Sequence, residues 1–199
     1  MLYQKKPVSS KDFFVNYNNK IRSALKQNHF DELVKITKFL ETNIKNKKKI
    51  FVCGNGGSAA VANHFMCDFN KGLKISSKNK LIPKIISLTN SVELITAISN
   101  DINFDEIFKF QLENYSDKND ILIVISCSGN SKNILKSIKY AKYKKLKIIS
   151  FVGFGKNNLI YKSSDYYINL NIKNYGVCED IFQSIMHMIS QYLRFKYSK

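Results

Sequence analysis

The chain has 199 residues, 44% of them hydrophobic, and a formal net charge of +17 at pH 7. That size suits one domain over residues 1–199 with a sizeable core, and no apolar run reaches the ~18 residues a membrane span needs. The charge is nearly all lysine, with arginine only at Arg22 and Arg194. Such scattered charge argues against a nucleic-acid partner and suits the steering of a small phosphorylated substrate. The opening segment Met1–Pro7 has no apolar stretch that could act as a secretory signal, and Cys53, Cys67, Cys127 and Cys178 show no C-x-x-C spacing. Both features point to a cytoplasmic protein with reduced thiols. Two amphipathic helical patterns follow, over residues 10–27 and 30–46, expected to pack on a sheet or on a neighbouring subunit. Apolar strands then alternate with helical periods: Ile50–Cys53, a helix carrying His64 and Asp68, Lys84–Leu88, a helix from Ser91, Ile121–Ser126, a helix over Asn133–Tyr143, Lys147–Val152 and Tyr166–Leu170. A last helix runs from about Gly176 to near Phe195 and carries Glu179, Gln183 and His187. The alternation predicts an α/β fold, with helices flanking a mostly parallel five-stranded sheet.

In open parallel sheets, ligands sit beyond the carboxyl ends of the strands, where loops feed helix N-termini. Two loops have the chemistry for this. Gly54-Asn55-Gly56-Gly57-Ser58 follows the first strand, and Ser126-Cys127-Ser128-Gly129-Asn130-Ser131 follows the third. Each brings backbone N–H groups and hydroxyls to the start of a helix, which makes an anion site. Neither has the spacing of a P-loop or of a dinucleotide fingerprint, so a single phosphate monoester held by hydroxyls and amides is the better fit. His64 and Asp68, four residues apart, share one helix face. Along the last helix Glu179, Gln183 and His187 fall within an arc of roughly 80°. Imidazole and carboxylate are the natural pair for moving protons at neutral pH.

Taken in order, Gly54–Ala60 with His64, Asn100-Asp101 with Phe104 and Phe108, Ile125–Ser131, and the Glu179–His187 helix resemble the sugar isomerase (SIS) domain of phosphoheptose isomerases. The resemblance covers nearly the whole chain. It implies a flavodoxin-like subunit of a homotetramer that converts sedoheptulose 7-phosphate into D-glycero-D-manno-heptose 7-phosphate for lipopolysaccharide or capsule synthesis. It also implies that Ser126, Ser128 and Ser131 grip the phosphate, with Cys127 among the substrate-binding residues of the same loop. Asn55, Gly56, Gly57, Ser58, Asn100, Asp101 and Glu179 would contact the substrate. Asp68 and His187 would form the acid–base pair, and zinc would be held by His64, Asp68, Glu179 and His187. Four positions depart from the familiar pattern: Asp68 stands where a glutamate is usual, Glu179 where a glutamine is usual, Cys127 where a threonine is usual, and Asn90 where an aspartate is common. A relative of the same fold binds a replication initiator without isomerase chemistry, so a non-catalytic adaptor is the competing expectation. Cys127 reads as a packing residue whose loop N–H neighbours would lower its pKa.

Overall fold

The computed structural model describes residues 8–155 and 159–198. The Met1–Pro7 segment therefore lies outside the described residues. In chain order the elements are α1 (Ser10–Ala24), α2 (Gln27–Lys45), β1 (Lys49–Gly54), α3 (Gly57–Cys67), a π-helical turn (Asp68–Leu73), α4 (Lys74–Ser76), β2 (Lys84–Ser87) and α5 (Val92–Asp101). A 3₁₀ turn (Phe104–Glu106), α6 (Ile107–Tyr115), β3 (Ile121–Ser126), α7 (Lys132–Tyr143), β4 (Lys147–Val152), α8 (Leu159–Lys162), β5 (Tyr166–Asn169) and α9 (Tyr175–Tyr197) follow. The strands form one sheet in the order β2-β1-β3-β4-β5, and every pairing is parallel.

The sheet is apolar on both faces because both faces are covered by helices. Along β3, Ile121, Ile123 and Ile125 join a core under α2, α3 and α9 that includes Leu33, Phe65 and Ile185. Leu122 and Val124 point the other way and join Ile98, Phe108 and Ile138 of α5, α6 and α7. A strand alternating in period two between two cores reads as an unbroken hydrophobic run, as Ile121–Ile125 does. Phe65 and Phe69 are fully buried with ring centroids 4.2 Å apart; cutting either to Ala would cost about 3–5 kcal/mol.

The strand order reverses direction between β1 and β3. Leaving β1, the chain winds to β2 on one side; leaving β3, it winds to β4 on the other. The carboxyl ends of β1 and β3 thus open a crevice at the topological switch point, where α/β sheets bind ligands.

The first helix pair breaks earlier than its periodicity predicts. Leu25 and Lys26 are extended, and α2 starts at Gln27 because His29 folds back so that its Nδ1 accepts the Lys26 N–H at 3.1 Å. His29 Nε2 lies 3.1 Å from the Asn169 carbonyl oxygen. Burial pushes this imidazole below its ordinary pKa, which fits a structural group tying α2 to β5.

Candidate active site

Helices α3 and α7 both start at the crevice, and neither has a side chain capping its N-terminus. Helices α1, α5 and α9, by contrast, are capped by Ser9, Ser91 and Asn174. At α3 the Ser58 and Ala59 N–H groups are already taken by the Asn55 and Gly56 carbonyl oxygens at 3.1 and 3.0 Å, while the helix dipole at each start favours an anion. A cavity of about 410 Å³ lies between them, lined by Asn55, Gly56, Gly57, Ser58, Ile125, Ser126, Cys127, Ser128, Ser131, Tyr175 and Glu179. Nine of the residues expected from sequence to contact substrate are in that lining. Its hydroxyl-rich side is set by the loop after β3: Ser126 Oγ accepts the Gly129 N–H at 3.1 Å, which curls the loop over the start of α7.

The two loops are locked to each other by a pair of amides. Asn55 Nδ2 donates to Asn133 Oδ1 and Asn133 Nδ2 donates back to Asn55 Oδ1, each at 2.9 Å. Asn133 Oδ1 also accepts the Ile134 N–H at 2.9 Å. Asn133 was not singled out in the sequence, although a buried Asn in the first turn of a helix that follows a Ser/Gly loop is the available signal.

Glu179 enters the cavity opposite Gly57. A Cβ on Gly57 would lie 2.3 Å from Glu179 Oε2, so only glycine permits this approach. Burial, helped by neighbouring Asp180, raises the Glu179 carboxyl above its ordinary pKa, and the Ser58 backbone N–H offsets part of that.

Further along the same two helices, His64, Asp68 and His187 converge. His64 Nε2 and His187 Nε2 are 2.9 Å apart, and the Asp68 carboxylate oxygens lie 3.7 Å from the first and 3.8 Å from the second. Their ligand atoms all fall within 4.8 Å of one another. Two donors on one zinc-sized cation, each at about 2.0–2.2 Å, are at most about 4 Å apart. The distances to His64 and His187 are from different Asp68 oxygens, Oδ1 and Oδ2, and two imidazoles with a carboxylate this close are a donor set of the kind that holds a zinc-like ion. Gln183 Nε2 lies 3.1 Å from His187 Nε2 and completes the cluster's rim.

The expected fourth ligand is not in this group. Among the described residues the cluster is His64, Asp68 and His187, without Glu179. Sharing an arc on α9 does not bring two residues together: eight residues at 1.5 Å each put Glu179 and His187 about 12 Å apart along the axis. Glu179 therefore faces Gly57 at the cavity while His187 faces His64 two turns beyond.

Asn100 and Asp101 are likewise not brought to the cavity of this chain. They are exposed at the end of α5 and hydrogen-bond to each other at 2.8 Å. Helix α5 packs on the sheet face opposite α3 and α9.

Asp68 is held from behind by residues that sequence did not mark. Arg194 Nη2 lies 3.0 Å from Asp68 Oδ1 and donates to the Asp68 carbonyl at 2.9 Å, and Ser190 Oγ donates to Asp68 Oδ2 at 3.0 Å. The backbone there is π-helical, a distortion that often marks functional sites. It also lets Asn70 reach the edge strand, taking the Ile85 N–H at 3.0 Å and donating to the Ile85 carbonyl at 2.8 Å.

The SIS domain family matches residues 13–153. A phosphoheptose isomerase of Helicobacter pylori is 40% identical over 133 residues, 67% of this chain and 64% of that protein's length. Another, from a different strain of the same species, is 36% identical over 152 residues, 76% of this chain and 73% of its own length. Among solved structures, a phosphoheptose isomerase from Francisella tularensis superposes with a TM-score of 0.79 at 26% identity, covering 94% of this chain and 98% of that one.

Proposed function

Since the chain belongs to the SIS domain family and to its phosphoheptose isomerase group, we propose that it is a sugar-phosphate isomerase converting sedoheptulose 7-phosphate to D-glycero-D-manno-heptose 7-phosphate, a precursor for lipopolysaccharide or capsule. The carrying observation is a cavity lined by the start of α3, the serine loop before α7 and Glu179, with His64, Asp68 and His187 converging further along the same α3 and α9 helices. Six residues of helix rise separate Ser58 from His64, roughly 9 Å. A phosphate gripped at one end thus leaves the carbonyl end of an open-chain sugar beside the proton-transfer groups.

In this reading Ser126, Ser128, Ser131 and the first N–H groups of α7 bind the phosphate, while Asn55 and Ser58 orient the sugar hydroxyls. Asp68 and His187 form the acid–base pair: one takes the proton from the carbon next to the carbonyl, giving an enediol, and the other serves the oxygen. Delivery of a proton to the neighbouring carbon completes the move of the carbonyl. Arg194 and Ser190 hold the Asp68 carboxylate in place for this. A zinc ion held by His64, Asp68 and His187 would polarise the sugar carbonyl and is the cofactor we assign.

Assembly as a homotetramer is part of the proposal, supported by exposed apolar side chains on α1, α2 and α9 such as Phe14, Phe30, Val34 and Phe195. The four free cysteines fit a reducing, cytoplasmic setting. No helix among the described residues is long and apolar enough to cross a membrane. The test is incubation of purified, zinc-supplied protein with sedoheptulose 7-phosphate while aldose formation is followed. Turnover is expected. Inactivity with intact binding of the ketose phosphate would favour a non-catalytic sugar-phosphate-binding protein instead.

A further inference from the structure

The first turn of α9 is gripped from two sides. Asn174 caps it, its Oδ1 accepting the Val177 N–H at 3.1 Å. On one face Tyr175 and Glu179, four residues apart, line the cavity. On the neighbouring face, roughly 100° round the helix axis, Gly176 and Asp180 meet Tyr17 of α1. The Tyr17 hydroxyl donates to Asp180 Oδ2 at 2.6 Å, a short bond to a charged acceptor. A Cβ on Gly176 would lie 2.9 Å from that hydroxyl oxygen and 3.8 Å from Tyr17 Cε2. The Tyr17 ring itself packs against the main core and stacks on Phe13 with centroids 6.5 Å apart.

Gly176 serves this contact. Among the described residues the glycines with left-handed backbone are Gly56, Gly129 and Gly155, so conformation does not require one at position 176. Glycine also weakens a helix relative to alanine. What excludes a side chain there is the approach of the Tyr17 hydroxyl. On the cavity face the tolerance is as small: Glu179 Oε2 would stand 2.3 Å from a Cβ on Gly57, so a slight rotation of the turn changes where the carboxyl sits. Tyr17 is bonded to the residue next to Glu179, and it thereby fixes that rotation.

We propose that Tyr17 is a positioning residue for the sugar-phosphate site: by bonding Asp180 it sets the rotation of the first turn of α9 and so aims Glu179 into the cavity, where the carboxyl bonds a hydroxyl of the sugar. The inference rests on the isomerase reading for the identity of that sugar. Helix α1 thus has a part in substrate recognition although the cavity lining contains none of its residues.

Tyr17→Phe removes one oxygen and keeps the ring in the core. KM for sedoheptulose 7-phosphate should rise by about fivefold, the net worth of one hydrogen bond, with kcat changed less. Asp180→Ala should do the same, and Tyr17→Phe/Asp180→Ala should be no worse than either single change, since both break one link. Asp180→Asn keeps an oxygen acceptor for Tyr17 and should recover most of the KM lost in Asp180→Ala. Inorganic phosphate, measured by calorimetry, should bind all four variants as it binds the native protein, because the serine loop joins β3 to α7 and is not part of α9. A purely structural bond would lower the melting temperature and leave KM alone. That result, additive effects in the double variant, or an Asp180→Asn protein as impaired as Asp180→Ala would overturn the proposal. If the native chain binds the ketose phosphate without turning it over, the isomerase reading fails, and the Kd of that ligand replaces KM with the same fivefold pattern expected. Absence of binding as well would overturn both.

Discussion

Arg194 Nη2 lies 3.0 Å from Asp68 Oδ1 and at the same time donates to the Asp68 backbone carbonyl at 2.9 Å, so one guanidinium fixes both the side chain and the main chain of the residue that begins the π-helical turn. Gly72, on the same turn, makes room for it; a Cβ there would lie 1.8 Å from that nitrogen. Arg194→Met keeps much of the side chain's length and removes both contacts. Outer-shell partners of this kind are worth about 10–100-fold in metal affinity or activity. The expected outcome is a fall of that size in kcat with a smaller change in KM, and weaker retention of metal on dialysis. Parallel kinetics and metal analysis check it.

Gly57→Ala tests the close approach of α3 and α9. The added Cβ would stand 2.3 Å from Glu179 Oε2, so the carboxyl must swing out of its place in the cavity. Displacements near 1 Å in a site can cost about 100-fold in rate. Turnover should drop by that order, while circular dichroism shows an intact fold because Glu179 is only partly buried. Shortening the partner in Gly57→Ala/Glu179→Ala should remove the clash without restoring activity, which a thermal melt and an assay of both variants would show.

Much of this arrangement is legible in the sequence, and what is missing has physical causes. Strand β3 was plain because a strand buried on both faces must be apolar throughout. His64 and Asp68 were legible as an i,i+4 pair, and the structure places them 3.7 Å apart. The family resemblance put Glu179 in the metal group, and helical periodicity could not correct it, because it gives the angle of a side chain and not its height along the axis. The support of Asp68 by Arg194 depends on a π-helical turn, which leaves no periodic signal in so short a segment. The pairing of Asn55 with Asn133 joins loops 78 residues apart, and only the parallel register of β1 beside β3 brings them together.

Two glutamates should give opposite pH signatures in stability. Burial raises the Glu179 pKa, so the folded protein holds that proton more tightly than the unfolded chain. Its contribution is neutral below the ordinary glutamate range, turns unfavourable as pH rises towards the raised value, and stays so above it. Glu179→Gln should therefore melt at a higher temperature than the native protein at neutral pH, with the difference vanishing in acid. For Glu41, burial alone would push the pKa up, but hydrogen bonds from Lys196, Tyr197 and Lys45 outweigh it and the net shift is down. Its stabilisation is present above the ordinary range and lost as pH falls through the lowered value. Glu41→Gln should destabilise at neutral pH and converge with the native protein in acid. Melting curves from pH 3 to 8 test both signs; matching pH dependence for the two variants would refute the assignment.

An asparagine-to-aspartate change isolates the anion site from the acid–base groups. Asn133 is buried in the first turn of α7, and its amide faces Asn55 across the crevice. Asn133→Asp substitutes a near-isosteric group that cannot donate to Asn55 Oδ1 and that carries negative charge beside the expected phosphate. At an effective dielectric near 20, a charge pair some 8 Å apart repels by about 2 kcal/mol. KM for the sugar phosphate should rise by about tenfold or more, with kcat changed far less, and added salt should lessen the difference.

His187 gives the sharpest test of the cluster, since its Nε2 touches both His64 at 2.9 Å and Gln183 at 3.1 Å and faces the Asp68 carboxylate at 3.8 Å. His187→Ala removes one of two imidazoles from the donor set and one member of the acid–base pair. Freshly purified native protein should carry about one zinc per chain, and the variant far less, because two remaining ligands hold a cation poorly. Turnover should fall by at least about 100-fold, the usual worth of a positioned acid or base. Binding of inorganic phosphate should persist, because the serine loop and the uncapped start of α7 are separate from the cluster. Undiminished turnover in His187→Ala would remove His187 from the mechanism. A zinc-free native protein with full activity after chelation would remove the metal and leave Asp68 and His187 to do the chemistry alone.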